Sequence, residues 1–248
     1  MAAVSSPRPG PGTGLEADPP QRMLAGAIEA FAERGFHATT TRDIASRAGL
    51  SPAALYVHFP SKAAVLAQIS LVGHTAALEL VLGAAGEGAN PVERLRSVVS
   101  RFVTWHAENH RTARVVQYEF ASLPDDARPA VVALRRQIER AVLDLITAGV
   151  EAGLMDVDQP RRVARAILSL SIDVARWYDP SGRDTAAELG ALYADLAARM
   201  VGADPSGRPI GPPIDRPIDP PIERPIDRPT GRSTPASEPL VPKPNRRD

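Results

Sequence analysis

Residues 39–62 read TTTRDIASRAGLSPAALYVHFPSK, and this stretch has the pattern of two short helices joined by a tight turn. Thr40 can cap the first helix, because an aspartate follows it at the three-residue spacing of a capping box. Gly49 can end that helix, since glycine adopts a left-handed backbone at little cost. Ser51 and Pro52 then begin a second helix as its N-cap and first residue. The stretch therefore predicts a helix-turn-helix.

The second predicted helix, Pro52 to Phe59, suits insertion into the major groove of DNA. Leu55 and Phe59 lie on one side and would anchor the helix, which leaves its N-terminal end facing outward. Groups at the rim that can reach phosphates belong to Thr40, Tyr56, His58 and Lys62. Base edges or sugars can be touched by Thr41, Arg42, Ser51, Pro52, Ala53 and Ala54. An ordinary capped helical corner would show the same pattern, so a purely structural role remains an alternative.

The pattern T-x-R-D-I-A-x-x-A-G-L-S-x-x-x-L-Y-x-H-F-x-S-K begins at Thr40, and F-x-E-R-G-F precedes it from Phe31. Together they resemble the DNA-binding signature of the TetR/AcrR family of bacterial transcriptional regulators, over residues 20–68. The resemblance implies an all-helical homodimer that binds a palindromic operator in double-stranded DNA through its N-terminal domain and a small molecule through its C-terminal domain. It also implies DNA-contacting positions at Thr40, Arg42, Ser51, Ala53, Tyr56, His58 and Lys62.

One departure from the family pattern concerns Ala53 and Ala54, which are apolar where relatives often carry glycine or a polar or charged residue. Methyl groups cannot form hydrogen bonds to base edges. We therefore expect sequence readout to rely on methyl contacts, water and DNA shape.

The remaining sequence predicts an all-α fold, with helical periodicity and no strand signal. A helix from about Pro19 to Arg34 completes a three-helix DNA-binding domain over residues 18–68, and residues 69–202 are predicted to form a helical ligand-binding and dimerisation domain. Further helices are predicted from Ser61 towards residues 83–88, from Asn90, around residues 115–120, and over 126–152, 160–178 and 185–201. Residues 1–17 are predicted to be a disordered arm and residues 203–248, rich in Pro-Ile-Asp-Arg repeats, a disordered tail.

The last two predicted helices are candidates for a dimer interface. An apolar stripe on the second contains Leu189, Leu192, Tyr193, Leu196 and Met200. Periodicity alone favours a core within one chain, whereas the family resemblance favours half of a four-helix bundle across a two-fold axis.

A small-molecule pocket is predicted around residues 105–118, where aromatic surface is combined with a few polar groups. The candidate ligand-binding residues are Trp105, His106, Arg114, Gln117, Tyr118, Asp173 and Trp177. Asp173 lies in an apolar run, so it needs a partner such as Arg176, or an interface or ligand. The segment Arg176–Gly182 resembles one in a family branch that answers to acyl-CoA thioesters, which favours a hydrophobic or acyl-CoA-like effector.

Composition and motif content restrict the classes of function that this sequence can have. The formal net charge is +0, so attraction to DNA has to come from a local arrangement of charge. With no cysteine, thiolate chemistry is excluded. We expect no metal, because His106 and His110 supply only two ligands, and we expect no cofactor, no membrane association and a cytoplasmic location. No catalytic motif is present, so we expect no enzyme. The family resemblance favours a ligand-responsive repressor that its effector releases from the operator. The alternatives are a ligand-binding or scaffolding dimer that no longer reads DNA and, less favoured, a helical enzyme.

Overall fold

The computed structural model describes residues 18–203, and every regular element in that range is helical. The α-helices are α1 (Pro19–Ala38), α2 (Thr41–Arg47), α3 (Pro52–His58), α4 (Lys62–Ala85), α5 (Pro91–Glu108), α6 (His110–Tyr118), α7 (Arg128–Glu151), α8 (Pro160–Trp177) and α9 (Ala186–Met200). A 3-10 turn, Phe120–Ser122, follows α6. The predicted all-α fold is confirmed, whereas the predicted arm and most of the predicted tail lie outside the described residues.

The capping signals of the helix-turn-helix are confirmed. The Thr40 hydroxyl accepts a hydrogen bond from the Asp43 amide at 3.2 Å, and the Asp43 carboxylate accepts one from the Thr40 amide at 2.8 Å. Gly49 has φ 65°, the left-handed conformation that a tight turn requires. The Ser51 hydroxyl caps α3 by accepting from the Ala54 amide at 3.2 Å. Local chemistry therefore fixes both ends of the turn between α2 and α3.

Helix α1 is interrupted at Gly35, the residue that the sequence predicted would break it. Gly35 has φ 77° and kinks the helix where an end was expected, but one more turn follows as far as Ala38. The buried hydroxyl of Thr39 donates to the carbonyls of Gly35 at 2.8 Å and Ala30 at 3.1 Å. These bonds hold the extra turn against α1, which periodicity alone could not indicate. Helix α7 similarly begins at Arg128 rather than Asp126, after a turn closed by the Pro124 carbonyl.

Two apolar cores share helix α4. The first contains Met23, Phe31, Ile44, Leu55, Leu66 and, from later in the chain, Val115 and Val131. The second surrounds α5 and contains Leu95, Val98, Phe102, Val142 and Ile146. Because α6 and α7 complete the first core, helices α1, α2 and α3 are packed directly onto the C-terminal helices. The proposed domain boundary near residue 68 stays a prediction, since α4 runs through it without a break.

Helix α4 bears on the expectation, drawn from the sequence, that the protein does not associate with a membrane. Among the described residues it is the one helix that is long and apolar enough to cross a membrane, by length and composition alone. Half of its most apolar stretch is buried inside the protein, where it packs against α1, α5, α6 and α7. Its apolar character is accounted for by its position between the two cores.

Helix α9 packs closely on α5 through Gly190. A Cβ atom at this position would overlap the Thr104 hydroxyl and would lie 2.6 Å from the Ser100 carbonyl oxygen. The apolar stripe predicted on α9 is therefore only partly buried in this chain. Leu189 faces the core, whereas Leu192, Leu196 and Met200 are exposed. The chain stays packed just beyond α9, since Ala203 is buried, and the predicted start of the tail at residue 203 stays a prediction.

Candidate functional site

Helix α3 has the orientation that the sequence predicted. The Leu55 side chain is fully buried in the first core, while Tyr56 is 56% exposed. At the N-terminal end of α3, Ser51, Pro52 and Ala53 are exposed and Ala54 is half-buried, and His58 is exposed at the C-terminal end of the helix. The Thr41 hydroxyl lies 3.3 Å from the Tyr56 phenol oxygen, which places the start of α2 beside this surface. The structure thus brings α2 and α3 together at one outward-facing surface.

Val57 was missed by the sequence reasoning, although it is 79% exposed, the most of any large apolar side chain in the described range. A signal for it was available. Because Leu55 and Phe59 mark the inner side of α3 at a spacing of four, position 57 must point away from the core. An apolar side chain there can contact a thymine methyl group.

Several cations near this surface are already paired with acids. Arg34 lies 3.1 Å from the Asp43 carboxylate, and Arg47 pairs with Glu33 through both of its terminal nitrogens. Hydrogen bonds from the Thr40 hydroxyl and amide, together with Arg34, lower the pKa of Asp43 to about 2. These pairs connect α1 to α2, and they leave less positive charge for DNA than the sequence suggested.

Arg42 differs from those cations. Within residues 18–203 its guanidinium forms no hydrogen bond or ion pair with another residue, and its side chain is exposed beside the start of α2. Arg22, by contrast, donates to the Gly49 carbonyl at 3.2 Å and holds the turn of the helix-turn-helix. On this surface, Arg42 is therefore the positively charged side chain whose N–H groups bind no other described residue.

Lys62, which the sequence predicted at the DNA rim, has partners within the protein. Its ammonium group donates to the carbonyl oxygens of Phe36 at 2.6 Å and Thr39 at 2.7 Å, and it lies 4.3 Å from the centre of the Phe36 ring. Lys62 thereby fastens the start of α4 to the end of α1. A phosphate contact by Lys62 stays a prediction, and the phosphate would have to share the ammonium group with these carbonyl oxygens.

Phe36 is also bound by a residue that lies much later in the chain. Its amide donates to the Glu119 carboxylate at 2.9 Å, directly after α6. One residue at the end of α1 is therefore bound to both α4 and the α6 region. Glu119 was not identified from the sequence, because nothing in its local pattern indicates a partner 83 residues away.

A cavity of about 290 Å³ lies among the C-terminal helices. Helices α4, α5, α6, α7 and α8 supply its walls. Three of the predicted ligand-binding residues line it, namely Trp105, His106 and Gln117. Its apolar walls include Phe102, Val116, Ile138, Leu168 and Ile172. A concave space with mainly apolar walls and a few polar groups is typical of small-molecule sites.

The other predicted ligand residues are not in this cavity. Arg114, Tyr118 and Asp173 line a smaller neighbouring cleft of about 150 Å³, and Trp177 lines neither space. Asp173 is exposed and pairs with Arg176 through two hydrogen bonds of 2.8 and 2.9 Å, so its place in an apolar run needs no ligand. The predicted residues are therefore divided between two neighbouring spaces, because α6 and α8 each contribute residues to both, and their role in ligand binding stays a prediction.

Two polar residues of the cavity, His74 and Arg135, were missed by the sequence reasoning. The His74 ring accepts a hydrogen bond from Arg135 Nε at 2.9 Å, while its Nδ1 lies 2.7 Å from the Ser70 carbonyl. The two residues lie 61 positions apart, so only the packing of α7 on α4 brings them together.

His106 is buried in the wall of the same cavity. Its Nδ1 donates to the Phe102 carbonyl at 2.8 Å, which leaves Nε2 as an acceptor in the neutral ring. Burial lowers the pKa of His106 to about 4, and burial also lowers the pKa of His74. Both rings are therefore neutral near pH 7.

The chain matches known regulators over both halves. Residues 23–69 match the family described as bacterial regulatory proteins, tetR family, and residues 88–201 match the tetracyclin repressor-like C-terminal domain. The HTH-type transcriptional repressor KstR2 of Mycobacterium tuberculosis is 33% identical over 178 residues, which cover 69% of this chain and 86% of that protein. The solved structure of this ketosteroid regulator is 29% identical, with a TM-score of 0.65, and covers 77% of this chain and 97% of that one.

Two further solved structures have the same fold. A bacterial regulatory protein in the tetR family from Rhodococcus RHA1 is 38% identical, with a TM-score of 0.72, over 76% of this chain and 99% of that one. AibR, solved with isovaleryl coenzyme A and operator DNA, is 23% identical, with a TM-score of 0.67, over 75% of this chain and all of that one; this likeness shows the fold alone. With an outward-facing α3, a helical cavity domain and relatives matched along most of their length, the chain belongs to the TetR family of bacterial transcriptional regulators.

Proposed function

We propose that this regulator is a repressor that binds a palindromic operator as a homodimer and is released by a small hydrophobic or acyl-CoA-like effector. The observation that carries the proposal is the orientation of α3, whose Leu55 is buried while Ser51, Ala53 and Tyr56 face outward. A recognition helix reads bases from its N-terminal end, and these residues lie at or near that end. A cytoplasmic location is part of the proposal, since the operator lies there.

The proposed dimer uses the outer faces of α8 and α9. Five large apolar side chains on these two helices are exposed, namely Leu170, Trp177, Leu192, Leu196 and Met200. Apolar side chains grouped on one surface are typical of a protein interface. Two copies related by a two-fold axis would present two α3 helices to the half-sites of a palindrome.

The proposed effector class is supported by the chemistry of the cavity. Its walls are mainly aromatic and aliphatic, which suits a hydrophobic body. KstR2, a relative along most of the chain, is described as a ketosteroid regulator. AibR adds only that this fold can hold isovaleryl coenzyme A, because its identity to this chain is too low to transfer a ligand.

The proposed mechanism is a population shift between two spacings of the α3 helices. Helix α4 contributes His74 to the cavity wall, and Lys62 at its start is bound to the end of α1. Glu119, just after α6, is bound to the same turn of α1. An effector that favours a different position of α4 or α6 would therefore move the DNA-binding helices, with a coupling free energy of about 1–3 kcal/mol.

Gel-shift assays on the DNA upstream of the gene for this protein test the proposal. We expect retardation by the full chain, and loss of retardation for Tyr56→Ala and Arg42→Ala. Arg161→Ala, an exposed arginine on α8, is the matched control and should bind as the unchanged chain does. No retardation of any upstream fragment by a folded dimer would instead favour the ligand-binding or scaffolding alternative.

A further inference from the structure

Arg135 lies in the wall of the cavity without an anionic partner among residues 18–203. Its Nη2 atom is buried and has no hydrogen-bond partner, and it forms no ion pair with a carboxylate of the described chain. Glu139, one turn further along α7, is already bound to Arg165 at 2.9 Å. A buried donor without a partner is costly and rare, so Arg135 lacks the partner that a purely structural arginine would have.

The neighbours of Arg135 fix its orientation without neutralising it. Nε donates to His74, and the Phe120 ring lies 4.2 Å from the central carbon of the guanidinium group. With Nε occupied and Nη2 buried, Nη1 is the guanidinium nitrogen left accessible to another acceptor. A charged N–H group of this kind donates a strong hydrogen bond to a carboxylate.

We propose that the effector is a carboxylate on a compact apolar body, and that its carboxylate pairs with Arg135 inside the cavity. This inference deepens the proposed function and rests on it for the role of the cavity as an effector site. The charged side chains lining the cavity are Arg135, Arg165 and Glu139, and the last two pair with each other. The site therefore has one positive charge that a carboxylate would balance.

The size of the cavity restricts the apolar body. A volume of about 290 Å³ lies at the lower end of the ~300–1,000 Å³ range of small-molecule sites, so a short chain or a small ring system fits best. Phe102, Ile138 and Leu168 would contact that body. The carboxylate can belong to a free acid or to the far end of an acyl-CoA thioester, because both present the same group to Arg135.

Isothermal titration calorimetry of the full chain with two matched pairs of ligands tests the inference. Octanoate is compared with octanamide, and suberyl-CoA, which keeps a free carboxylate, is compared with octanoyl-CoA. In at least one pair we expect the carboxylate to bind ~10-fold tighter or more than its neutral partner, the effect of a charge-assisted hydrogen bond. The pair that shows the preference distinguishes a free acid from a thioester.

Substitutions assign the preference to Arg135. In Arg135→Gln the carboxylate and its neutral partner should bind equally, whereas Arg136→Gln, an exposed neighbour on α7, should keep the preference. Arg135→Met is a second variant, and because it removes a buried charge without a carboxylate partner in the described chain, we expect it to fold. The inference is overturned if neither carboxylate binds tighter than its neutral partner, or if the preference survives in the folded Arg135 variants.

Operator binding without a ligand keeps this test separate from the proposed function. If the unchanged chain retards operator DNA but shows no carboxylate preference, the inference about Arg135 fails and the repressor proposal stands. If the carboxylate preference is present but no DNA is bound, the repressor proposal fails and the ligand site stands.

Discussion

At the scale of single residues, we propose that Arg42 supplies the electrostatic part of DNA recognition. The other cations near α2 and α3 are bound by acids or carbonyl groups, as with Arg34 on Asp43 and Lys62 on Phe36. A side chain whose charge is already paired gains less from a phosphate than a free one does. Arg42, exposed and without a partner within residues 18–203, is therefore expected to contribute more to DNA affinity than its neighbours.

Replacing Arg42 with alanine should weaken operator binding and reduce its dependence on salt. Each phosphate that a protein cation neutralises adds about 0.9 to the steepness of log K against log salt, so a dimer without its two Arg42 side chains should show a slope shallower by about 2. Fluorescence anisotropy across a salt series measures this slope. Arg161→Ala serves as the control, and an unchanged slope for Arg42→Ala would contradict the assignment.

His106 links the stability of the protein to pH. Its pKa is about 4 in the folded protein and 6.5 as the ordinary value, so the unfolded chain binds a proton more readily between these two values. Stability is therefore lost as the pH falls from above 6.5 to below 4. The full difference corresponds to ~3 kcal/mol in the free energy of unfolding.

Urea unfolding at pH 7 and pH 4.5 tests this linkage. Most of the ~3 kcal/mol should be missing at pH 4.5 in the unchanged chain, whereas His106→Gln should lose less stability between the two pH values by about 2 kcal/mol. His58→Gln is the matched control, because His58 is exposed on α3. Equal pH dependence in all three proteins would show that burial of His106 has no energetic effect.

At the scale of elements, close helix crossings depend on individual glycines. Gly26 on α1 lies against the backbone of α2, where an added Cβ would be 3.0 Å from the Ile44 carbonyl oxygen. Gly190 allows the same closeness between α9 and α5. Neither glycine ends a helix, so their role is close packing and not the turn chemistry that makes Gly49 recognisable.

Substituting Gly190 with alanine should destabilise the protein by about 1–3 kcal/mol, the usual cost of overpacking. The clash with Thr104 and the Ser100 backbone outweighs the gain in helix propensity of up to ~1 kcal/mol. Gly83→Ala is the matched control, because a Cβ there meets no atom within 4 Å, and it should leave stability unchanged or raise it slightly. Thermal and urea unfolding distinguish these outcomes.

At the scale of the whole molecule, the exposed apolar faces of α8 and α9 are the surface that we propose for dimerisation. Leu192 is 52% exposed and Leu196 is 42% exposed in the single chain, although both belong to an apolar stripe. In the proposed dimer this surface is covered by a second copy. Operator affinity then depends on the dimer, because one α3 helix alone contacts only a half-site.

Charge introduced at this surface should separate the two copies. We expect Leu192→Glu combined with Leu196→Glu to yield a folded monomer by light scattering after size exclusion, with operator affinity lowered by at least ~100-fold because one half-site is lost. Leu82→Glu, at an exposed leucine on α4, is the control and should remain a dimer. A double variant that stays dimeric would place the interface elsewhere.

The features of the fold and of the DNA-binding surface that the sequence predicted are those that depend on local chemistry. The Thr40 box, the Ser51 cap and the left-handed Gly49 depend on neighbours within a few residues, and all three are confirmed. Periodicity placed Leu55 inside and therefore Tyr56 outside. Such features are determined by the sequence itself, because backbone caps and helical spacing involve few contacts from elsewhere in the chain.

The tertiary structure alone decided which side chains meet across the helices. Lys62 donates hydrogen bonds to the carbonyls of Phe36 and Thr39, and Arg135 donates one to His74 across 61 positions of sequence. No local pattern encodes such pairs, because they arise where two helices cross. The sequence by itself therefore determined the all-α fold and the outward face of α3, whereas packing determined which cation is exposed at the DNA surface and which one lines the cavity.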